Sequence, residues 1–590
     1  MATDLSFDQI LGLIGELGPY QIKLLILVCL SALPEAMHSM IAVFLTADMD
    51  HWCAVEEWTP NVDDCYQYRD DNTDAYLNCL HQYRDSSIPG YLEDGEVVYE
   101  KCLKYDTNYP ATWYEGYNAE RYTNHTIQCD EGWVYDRSQY KASIVNDFDL
   151  VCEQKYLADT SQSLFYVGYL CGSIVSGSVA DIIGRYKTFF IAITLDFVAG
   201  FVMSFAPSFW FFCLFRFLVG MANISIYLMS FVIVTELVGP SKRVYGGIAT
   251  PLAFSVGSMI LAVFAFFVRD WRNLSRIASV CLLPLFLLIF VLPESARWLM
   301  AKNKFEETEK VLQKIAKGNK TADKLPNDLV DQLTKQEEKR RQNTTTYTII
   351  DLFRTPKIRK ISLLLYCVWF VNSLIYFGLS LNTADLGDND YVTFFISAAV
   401  EFPANLLVIP LTQSFLGRRY SLFGLYLVGG ACCLITSFLS NLTAITAFAM
   451  TGKFCITAAY TIIYIYATEL FPTTLRGVGL GSCSTVARVG SILAPLMIVL
   501  GDIYDDLHLI IFATCSIVAA LVVLFLPETR GEPLKQTIDD VEATSMSDIT
   551  HLSTGVDVEQ TFQEKGTSTD ETTVTETKLN GYDNAHYITE

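Results

Sequence analysis

Residues 172–185 have the sequence GSIVSGSVADIIGR, and this stretch decides the architecture of the chain. Gly172 and Gly177 are small residues of the kind that let helices approach closely within a membrane. Asp181 and Arg185 lie four positions apart, so they can form an ion pair with each other or with a neighbouring helix. This spacing predicts a latch at the end of a helix; the alternative is a permanent stabilising contact.

The composition around this stretch is that of a membrane protein. The chain has 590 residues, of which 51% are hydrophobic and 18% charged, whereas soluble proteins carry about 25% charged residues. A net charge of −22 argues against binding to nucleic acid. Twelve apolar blocks are long enough to cross a membrane. They lie near residues 20–46, 161–180, 187–206, 209–234, 246–268, 274–292, 361–381, 392–412, 420–440, 444–467, 478–500 and 507–526.

The end of the opening stretch is part of an internal repeat. Three motifs recur at offsets of 233, 233 and 234 positions: Gly184-Arg185 as Gly417-Arg418, Thr235-Glu236-Leu237 with Arg243 as Thr468-Glu469-Leu470 with Arg476, and Leu292-Pro293-Glu294 as Leu526-Pro527-Glu528. The repeat indicates two six-span halves that enter the membrane from the same side. Such halves build transporters that rock around a site near the midplane. The predicted conformational latch comprises Asp181, Arg185, Glu236, Arg243, Arg418, Glu469 and Arg476.

Lysine and arginine set the orientation. Residues 297–360 hold sixteen of the 42 Lys and Arg, which predicts that this segment and both termini are cytoplasmic. The tail is Thr- and Ser-rich and acidic, a composition typical of disorder. The predicted segments are a cytoplasmic N-terminus at 1–19, a first transmembrane helix at 20–46, an extracellular loop at 47–156, transmembrane helices 2–6 at 157–296, a cytoplasmic helical linker at 297–360, transmembrane helices 7–12 at 361–527 and a cytoplasmic, largely disordered tail at 528–590.

Residues 47–156, which we call the cap, form an acidic, cysteine-rich loop with twenty-three Asp and Glu. Six cysteines in an exposed loop predict three disulfides, whose pairing the sequence leaves open; unpaired thiols are the alternative. They are Cys53, Cys65, Cys79, Cys102, Cys129 and Cys152. Asn124 opens a glycosylation sequon in the cap. Asn319 and Asn343 open two more, which we expect to be empty on the cytoplasmic side.

Several motifs resemble those of known transporters. The opening stretch and the two Pro-Glu motifs at 293–299 and 527–529 resemble the major facilitator superfamily. The cysteine-rich loop and three further motifs are similar to solute carrier family 22, which carries organic cations, anions and zwitterions. These motifs are GELGPYQ at 15–21, FDLVC at 148–152 and DLFRTP at 351–356.

The resemblance implies an all-α membrane protein with the major facilitator fold. It has twelve transmembrane helices in two six-helix pseudo-repeat halves and an extracellular disulfide-rich loop domain. It also implies a multi-pass protein of the plasma membrane that transports small organic ions and needs no cofactor or resident metal. Spans 7, 10 and 11 are most similar to the carnitine- and zwitterion-type branches.

An ionisable residue inside an apolar block costs about 3 kcal/mol and therefore needs a reason. Five such residues stand out. They are Glu35, Arg216, Glu401, Lys453 and Arg488. Family members that transport anions or carnitine resemble this chain in having Arg at the position of Arg488, whereas the organic cation transporters have Asp. A guanidinium can hold a carboxylate with two hydrogen bonds; the alternative is a buried ion pair.

The acidic residues leave alternatives open. Glu401 either pairs with Arg488 or faces a substrate cation, and Glu35 either attracts an ammonium group or is solvated near the outer surface. For Arg216 we expect structural pairing, and Lys453 has no predicted role. The anion exchangers carry Lys at the position of Asn405, which weakens a dicarboxylate-type interpretation.

Aromatic residues complete the predicted site. Trp369, Asn372 and Tyr376 share one helical face of span 7. Tyr460 and Tyr464 share a face of span 10, and Tyr166 and Tyr169 lie in span 2. Such rings can hold quaternary ammonium groups; ordinary helix packing is the alternative. The predicted substrate-binding residues are Arg488, Glu401, Trp369, Tyr376, Asn372, Glu35, Tyr460 and Tyr464.

The sequence therefore predicts an alternating-access transporter, not an enzyme, for carnitine- or betaine-like zwitterions and cations. The alternatives are an organic anion transporter and a non-transporting receptor on the same fold. No phosphate-binding loop of an ATP-driven pump occurs in the sequence. The expected partners are the substrate and the lipid bilayer, without nucleic acid. Sodium coupling, exchange and facilitated diffusion all remain open.

Overall fold

The computed structural model describes residues 7–69, 73–93, 96–110, 118–239, 242–326, 328–342, 347–383, 386–387, 389–502, 504, 506–532 and 535–542. Residues 543–590, which make up most of the predicted disordered tail, lie outside the described residues. So do Asn343 and the side chain of Arg243, one of the predicted latch residues.

The first span is broken into three helices, whereas the sequence predicted one helix over residues 20–46. Pro34 has no N–H to continue the helical ladder, and the Ser31 hydroxyl donates to the Val28 carbonyl over 2.7 Å. The break places Glu35 in a separate short helix. The helices at this end are α1 (Phe7–Ile14), α2 (Pro19–Cys29), α3 (Ala32–Met40) and α4 (Ala42–Leu45).

The cap contains three small antiparallel sheets, in which β1 pairs with β6, β2 with β3 and β4 with β5. Its elements are β1 (His51–Cys53), α5 (Thr59–Gln67), α6 (Thr73–Ser87), β2 (Gly90–Glu93), β3 (Glu96–Tyr99), β4 (Leu103–Tyr105), β5 (Thr126–Gln128), β6 (Trp133–Tyr135) and α7 (Ile144–Asp147).

The six cysteines of the cap form three disulfides, as predicted. The bonds join Cys53 to Cys129, Cys65 to Cys79 and Cys102 to Cys152. The sheets and helices of the cap enclose a small core of their own, in which Trp58 and Leu80 are fully buried. Asn124 is exposed beside β5.

The remaining membrane helices of the first half follow the cap. They are α8 (Tyr156–Ile183), α9 (Arg185–Met203), α10 (Phe209–Leu237), α11 (Arg243–Phe267) and α12 (Trp271–Val280), which a 3₁₀ helix at Leu283–Phe290 extends. The linker contains α13 (Ala296–Ala301), α14 (Phe305–Gly318) and α15 (Leu329–Gln342). The second half comprises α16 (Pro356–Leu381), α17 (Asp390–Gln413), α18 (Arg419–Thr436), α19 (Leu442–Leu470), α20 (Arg476–Ile498) and α21 (Leu507–Val523).

The helical membrane fold is confirmed, with a difference in the number of long spans. In the described part of the chain, eleven helical segments are long and apolar enough to cross a membrane. The twelfth predicted span corresponds to α21, an apolar helix of 17 residues. We call the membrane face next to the cap the cap side, and the face next to α13–α15 the linker side.

The N-terminal helix and the linker form a second small core on the linker side. Ile10 of α1 is buried with Leu312 of α14 and Leu333 of α15. Asn319 joins this bundle to the first span: its amide donates to the Ile14 carbonyl over 2.9 Å and accepts from the Tyr20 N–H over 3.1 Å. Its side chain is therefore already engaged in hydrogen bonds within the protein.

Candidate functional site

A buried ion pair lies in the second half, at mid-membrane depth. Lys453 of α19 is 3.0 Å from the carboxylate of Glu401 on α17, and both residues are buried. The Tyr376 hydroxyl donates to the same carboxylate over 2.9 Å, and Ser255 of the first half donates to it over 3.3 Å. The suggestion that Glu401 pairs with Arg488 is therefore wrong, and Lys453 gains a role as the partner of Glu401.

Arg488 lies between the two halves without a carboxylate partner. It is 5% exposed, and its guanidinium carbon lies 5.4 Å from the centre of the Tyr169 ring. Tyr169 and Tyr227 of the first half and Tyr460 and Tyr464 of the second half lie in its surroundings. Among the described residues, none of the ion pairs includes Arg488, and its Nε has no hydrogen-bond acceptor. A buried cation in this state needs an anion to offset its desolvation.

Four of the predicted aromatic residues form one cluster beside Arg488. The Trp369 and Tyr464 rings are 4.4 Å apart, the Tyr376 and Tyr460 rings 5.4 Å, and the Tyr460 and Tyr464 rings 5.8 Å. Trp369 and Tyr376 are buried. The cluster thus presents ring faces and edges next to the unpaired guanidinium.

Asn372 contacts a different part of the protein from the other two predicted residues on its helix. Its carbonyl oxygen accepts a 2.8 Å hydrogen bond from Tyr426 of α18. Helix α18 belongs to the same half, so Asn372 holds two helices of this half together. The sequence placed it on the face of Trp369 and Tyr376 from the helical period alone.

A polar network in the first half approaches Arg488 from the other side. Glu35 of α3 is 2% exposed, so the alternative of a solvated carboxylate is wrong. The Tyr169 hydroxyl lies 3.3 Å from its Oε1 and 2.5 Å from the Asn223 side-chain oxygen. The Asn223 amide in turn lies 3.5 Å from Asp196 of α9, which is fully buried. Sequence analysis missed Asp196, although it is a lone carboxylate within an apolar block.

Arg216 lies next to this network and forms hydrogen bonds and a ring contact, but it forms none of the ion pairs among the described residues, so the expected structural pairing is not seen. Its guanidinium donates to the His38 carbonyl over 3.1 Å and to Gln162 over 2.8 Å, and it lies 4.2 Å from the Phe165 ring centre. These contacts join α3, α8 and α10 within the first half.

The predicted latch residues on the linker side form similar arrangements in the two halves. In the first half, Arg185 lies 2.9 Å from Asp181 and 3.6 Å from Glu236, which also accepts the Ser295 hydroxyl. The Glu294 carboxylate accepts the N–H groups of Arg185 and Tyr186 over 3.0 Å each.

The second half repeats this arrangement. Arg418 lies 2.9 Å from Glu469, which accepts the Thr529 hydroxyl over 2.5 Å. The Glu528 carboxylate accepts the N–H groups of Arg418 and Arg419 over 3.0 Å each. Two side-chain nitrogens of Arg476 have no acceptor in the described part of the chain. These ion pairs stay within their own halves.

The two halves meet through aromatic and hydrogen-bond contacts on the cap side. The Phe44 ring at the end of the first span packs against Tyr391 and Phe394 of α17, with centres 5.6 and 5.1 Å apart. Tyr140 of the cap donates to Asp390 over 2.6 Å. These contacts join the first span and the cap to α17 of the second half.

Comparison with known proteins assigns this architecture to a known group. Residues 103–539 match the family of sugar (and other) transporters. The organic cation transporter protein of Drosophila melanogaster is 38% identical over 546 residues, 91% of this chain and 95% of the relative. Human solute carrier family 22 member 13 is 37% identical (91% and 93% covered), and human organic cation/carnitine transporter 2 is 33% identical (91% and 94% covered).

The fold is similar to that of a solved bacterial transporter. The partially occluded inward-open structure of the xylose transporter XylE from E. coli superimposes with a TM-score of 0.54 at 16% identity. The match covers 65% of this chain and 90% of that chain. At this identity the likeness concerns the fold alone.

Proposed function

The chain belongs to solute carrier family 22 of the major facilitator superfamily, and we propose that this membrane transporter of small organic ions carries carnitine- or betaine-like zwitterions. The observation that carries the proposal is Arg488, a buried cation between the halves without a carboxylate partner among the described residues. A substrate carboxylate supplies that partner through two charge-assisted hydrogen bonds.

The aromatic cluster supplies the second half of a zwitterion site. Trp369, Tyr376, Tyr460 and Tyr464 offer ring faces to an ammonium group beside Arg488, and cation–π attraction contributes about 0.5–2 kcal/mol. Because Lys453 already neutralises Glu401, Glu401 is less available to a substrate cation than the sequence alone suggested. A human relative named for organic cations and carnitine supports this substrate class.

Transport by alternating access fits the distribution of contacts between the halves. We take the cap side as extracellular and the linker side, with both termini, as cytoplasmic, in the plasma membrane. In this orientation the contacts of Phe44 and Tyr140 with α17 close the outer side. Rocking of the halves opens that side and lets the linker-side charges meet across the interface.

The substrate class is tested by uptake into oocytes that express the full chain. Three labelled probes are compared: a betaine-type zwitterion, a permanent cation and an aryl carboxylate. We expect the strongest uptake for the zwitterion. Preference for the permanent cation contradicts the role of Arg488, and no uptake of any probe by protein at the surface favours the receptor alternative.

Substitution of Arg488 tests the observation behind the proposal. We expect Arg488→Ala to lower zwitterion uptake about ten- to hundredfold, because a hydrogen bond to a charged group contributes about 1.5–3 kcal/mol. Surface expression, measured by biotinylation, stays near the wild-type level. Arg276→Ala at the cap-side surface is the matched control, since Arg276 bonds to Ser204 and Asn273 outside the site. Unchanged uptake by Arg488→Ala contradicts the proposal.

An organic anion is the second candidate, and the same unpaired guanidinium favours it. The neighbourhood of Asn405 speaks against it. The Asn405 side chain donates to the Glu401 carbonyl and accepts the Thr461 hydroxyl, and the cation beside Glu401, Lys453, is already paired with that carboxylate. Preference for the aryl carboxylate in the three-probe assay would select this candidate and leave the aromatic cluster a packing role.

A further inference from the structure

We propose that Glu35, assisted by Asp196, binds a proton that crosses the membrane together with the substrate carboxylate, so that the protein is a proton-coupled symporter. The inference rests on the proposed transport of carboxylate-bearing substrates and adds a driving force to it. The proton comes from water on the open side, binds a carboxylate oxygen of Glu35 and returns to water on the other side. No other bond changes.

The two carboxylates are linked by a continuous chain of polar groups. Glu35 Oε1 contacts the Tyr169 hydroxyl at 3.3 Å, this hydroxyl contacts Asn223 Oδ1 at 2.5 Å, and Asn223 Nδ2 lies 3.5 Å from Asp196 Oδ2. All four residues are buried. Oε2 of Glu35 and Oδ1 of Asp196 have no hydrogen-bond partner within the described residues. The network therefore has room for an additional hydrogen on either acid.

Counting hydrogens shows that this network has two states. The Asn223 amide donates to the Glu35 carbonyl over 3.1 Å, so its NH₂ group faces the acids and its oxygen faces Tyr169. Tyr169 has a single hydroxyl hydrogen, which either Glu35 or Asn223 can accept. An ionised Glu35 accepts this hydrogen, whereas a protonated Glu35 can donate to the Tyr169 oxygen while Tyr169 donates to Asn223. The network therefore accommodates Glu35 both with and without a proton.

The charged groups around Glu35 lie on three other helices, and one of them, Arg488, belongs to the proposed substrate site. Arg216 on α10 and Arg488 on α20 are the cations, and Asp196 on α9 is the second anion. The titratable neutral groups are His38 on α3, Tyr166 and Tyr169 on α8, and Tyr227 on α10. Arg216 donates to His38 and Gln162 and forms no ion pair with either acid in the described part of the chain.

Proton binding at Glu35 and carboxylate binding at Arg488 are coupled through the charge of Arg488. The positive charge of Arg488 favours an ionised Glu35 as long as the substrate site is empty. A bound carboxylate neutralises Arg488, and a proton on Glu35 then becomes more favourable. By thermodynamic reciprocity, a proton on Glu35 strengthens carboxylate binding at Arg488 by the same factor.

The chemistry of the network favours a proton over a metal cation. Hard cations require several oxygen ligands directed at one point. Here the NH₂ group of Asn223 and the hydroxyl of Tyr169 lie between the two carboxylates. A donor group at the centre of the cluster repels a cation but suits a relay of hydrogen bonds.

The proposal is tested in proteoliposomes that contain the purified full chain. All buffers are free of sodium. The membrane potential is held at zero with potassium and valinomycin, and the external pH is set to 7.5 or 6.5 against an internal pH of 7.5. The probe is the labelled betaine-type zwitterion, and the labelled aryl carboxylate is measured in parallel. One proton carried per carboxylate predicts accumulation that increases about tenfold per pH unit at equilibrium. A pH-sensitive dye inside the vesicles should report acidification that requires the probe.

Variants separate a proton site from a structural role. We expect Glu35→Gln to abolish the pH-driven accumulation but to retain counterflow of the probe at equal pH. Asp196→Asn removes a negative charge near Glu35. Proton binding to Glu35 then becomes weaker, so we expect half-maximal uptake at a more acidic pH. Glu153→Gln, which changes an exposed carboxylate in the segment before α8, is the matched control, and we expect it to behave as wild type.

The outcomes distinguish this inference from the proposed function. Counterflow of the probe without any effect of the pH gradient overturns proton coupling and leaves carboxylate transport intact. Accumulation that follows a sodium gradient instead also overturns it, as does a Glu35→Gln variant that still accumulates the probe on acidification. Absence of counterflow for all three probes overturns both proposals.

Discussion

At the scale of single residues, the site contains one cation with a carboxylate partner and, among the described residues, one without. Lys453 has a carboxylate at 3.0 Å, whereas Arg488 lies 5.4 Å from the centre of the Tyr169 ring and has no carboxylate partner among the described residues. A buried charge with a partner is a structural element, and a buried charge without one needs a ligand. The contrast explains why we place the substrate carboxylate at Arg488 rather than at Lys453.

The pairing of Lys453 with Glu401 has a testable consequence for stability. Lys453→Met leaves the Glu401 carboxylate buried without its cation, and we expect a loss of about 3–5 kcal/mol, because removal of one partner of a buried pair strands the other charge. The melting temperature of detergent-purified protein measures this loss.

The double variant Glu401→Gln/Lys453→Met is the control for that prediction. It removes both charges, so most of the lost stability should return. If Lys453→Met alone melts like the wild type, Glu401 is not held by Lys453 and the assignment of this pair is incorrect.

At the scale of elements, two glutamates outside the spans cap the helices that follow the linker-side loops. Gly184 and Gly417 precede these helices with φ of 107° and 64°, conformations that glycine tolerates best. Side-chain atoms of Glu294 and Glu528 occupy the space where a Cβ at these glycines would lie. The recurring Gly-Arg and Pro-Glu motifs are thus two parts of one contact in each half.

The Glu528 cap predicts a pH-dependent contribution to stability. Burial by itself raises the pKa of this carboxyl, but N–H groups of Arg418, Arg419, Thr529 and Arg530 outweigh burial and hold the pKa below its ordinary value of 4.5. The stabilisation is therefore present above the unfolded pKa and is lost as the pH falls through the folded pKa.

We expect Glu528→Gln to lower the melting temperature at pH 7 and to have a smaller effect at pH 4. Glu532→Gln, at an exposed position four residues later, should show no such pH dependence. An effect of Glu528→Gln that is equal at the two pH values would contradict the role of the carboxylate charge.

The disulfides of the cap should contribute unequally to its stability. The Cys53–Cys129 bond closes a loop of 76 residues and the Cys65–Cys79 bond one of 14. Chain entropy makes the longer loop more stabilising by about 1.5 kcal/mol. The Ser/Ser variant of the first pair should therefore lower the melting temperature of the full chain more than that of the second. The reverse order would show that the longer crosslink does not act through chain entropy.

At the scale of the whole molecule, transport requires the halves to separate on the cap side. Ser163 of α8 donates to the Ile492 carbonyl of α20 over 3.0 Å, so these helices touch across the interface. We expect a crosslink between Ser163→Cys and Ile492→Cys to block uptake and a reducing agent to restore it.

A crosslink inside one half is the matched control for this experiment. The hydroxyls of Ser31 and Ser230 are 2.7 Å apart within the first half, and the corresponding cysteine pair should leave uptake largely intact. Persistent uptake through a fully crosslinked Ser163→Cys/Ile492→Cys protein would contradict rocking of the halves.

The broad features of this protein could be predicted from its amino-acid sequence. Apolar runs revealed the spans, repeated motifs revealed the two halves, and six cysteines revealed a disulfide-tied cap, because each of these signals is local or is a direct comparison of two segments. Arg488 was also recognisable, since a single arginine within an apolar block is costly wherever its helix lies.

The contacts between side chains of different helices could not be predicted in this way. Lys453 became the partner of Glu401, Asp196 joined Glu35 through Asn223 and Tyr169, and the cysteines took one of fifteen possible pairings. These contacts depend on the rotation of each helix about its axis and on the crossing of neighbouring helices. Residue patterns within a single helix show which side chains share a face, but they do not show which helix that face will contact.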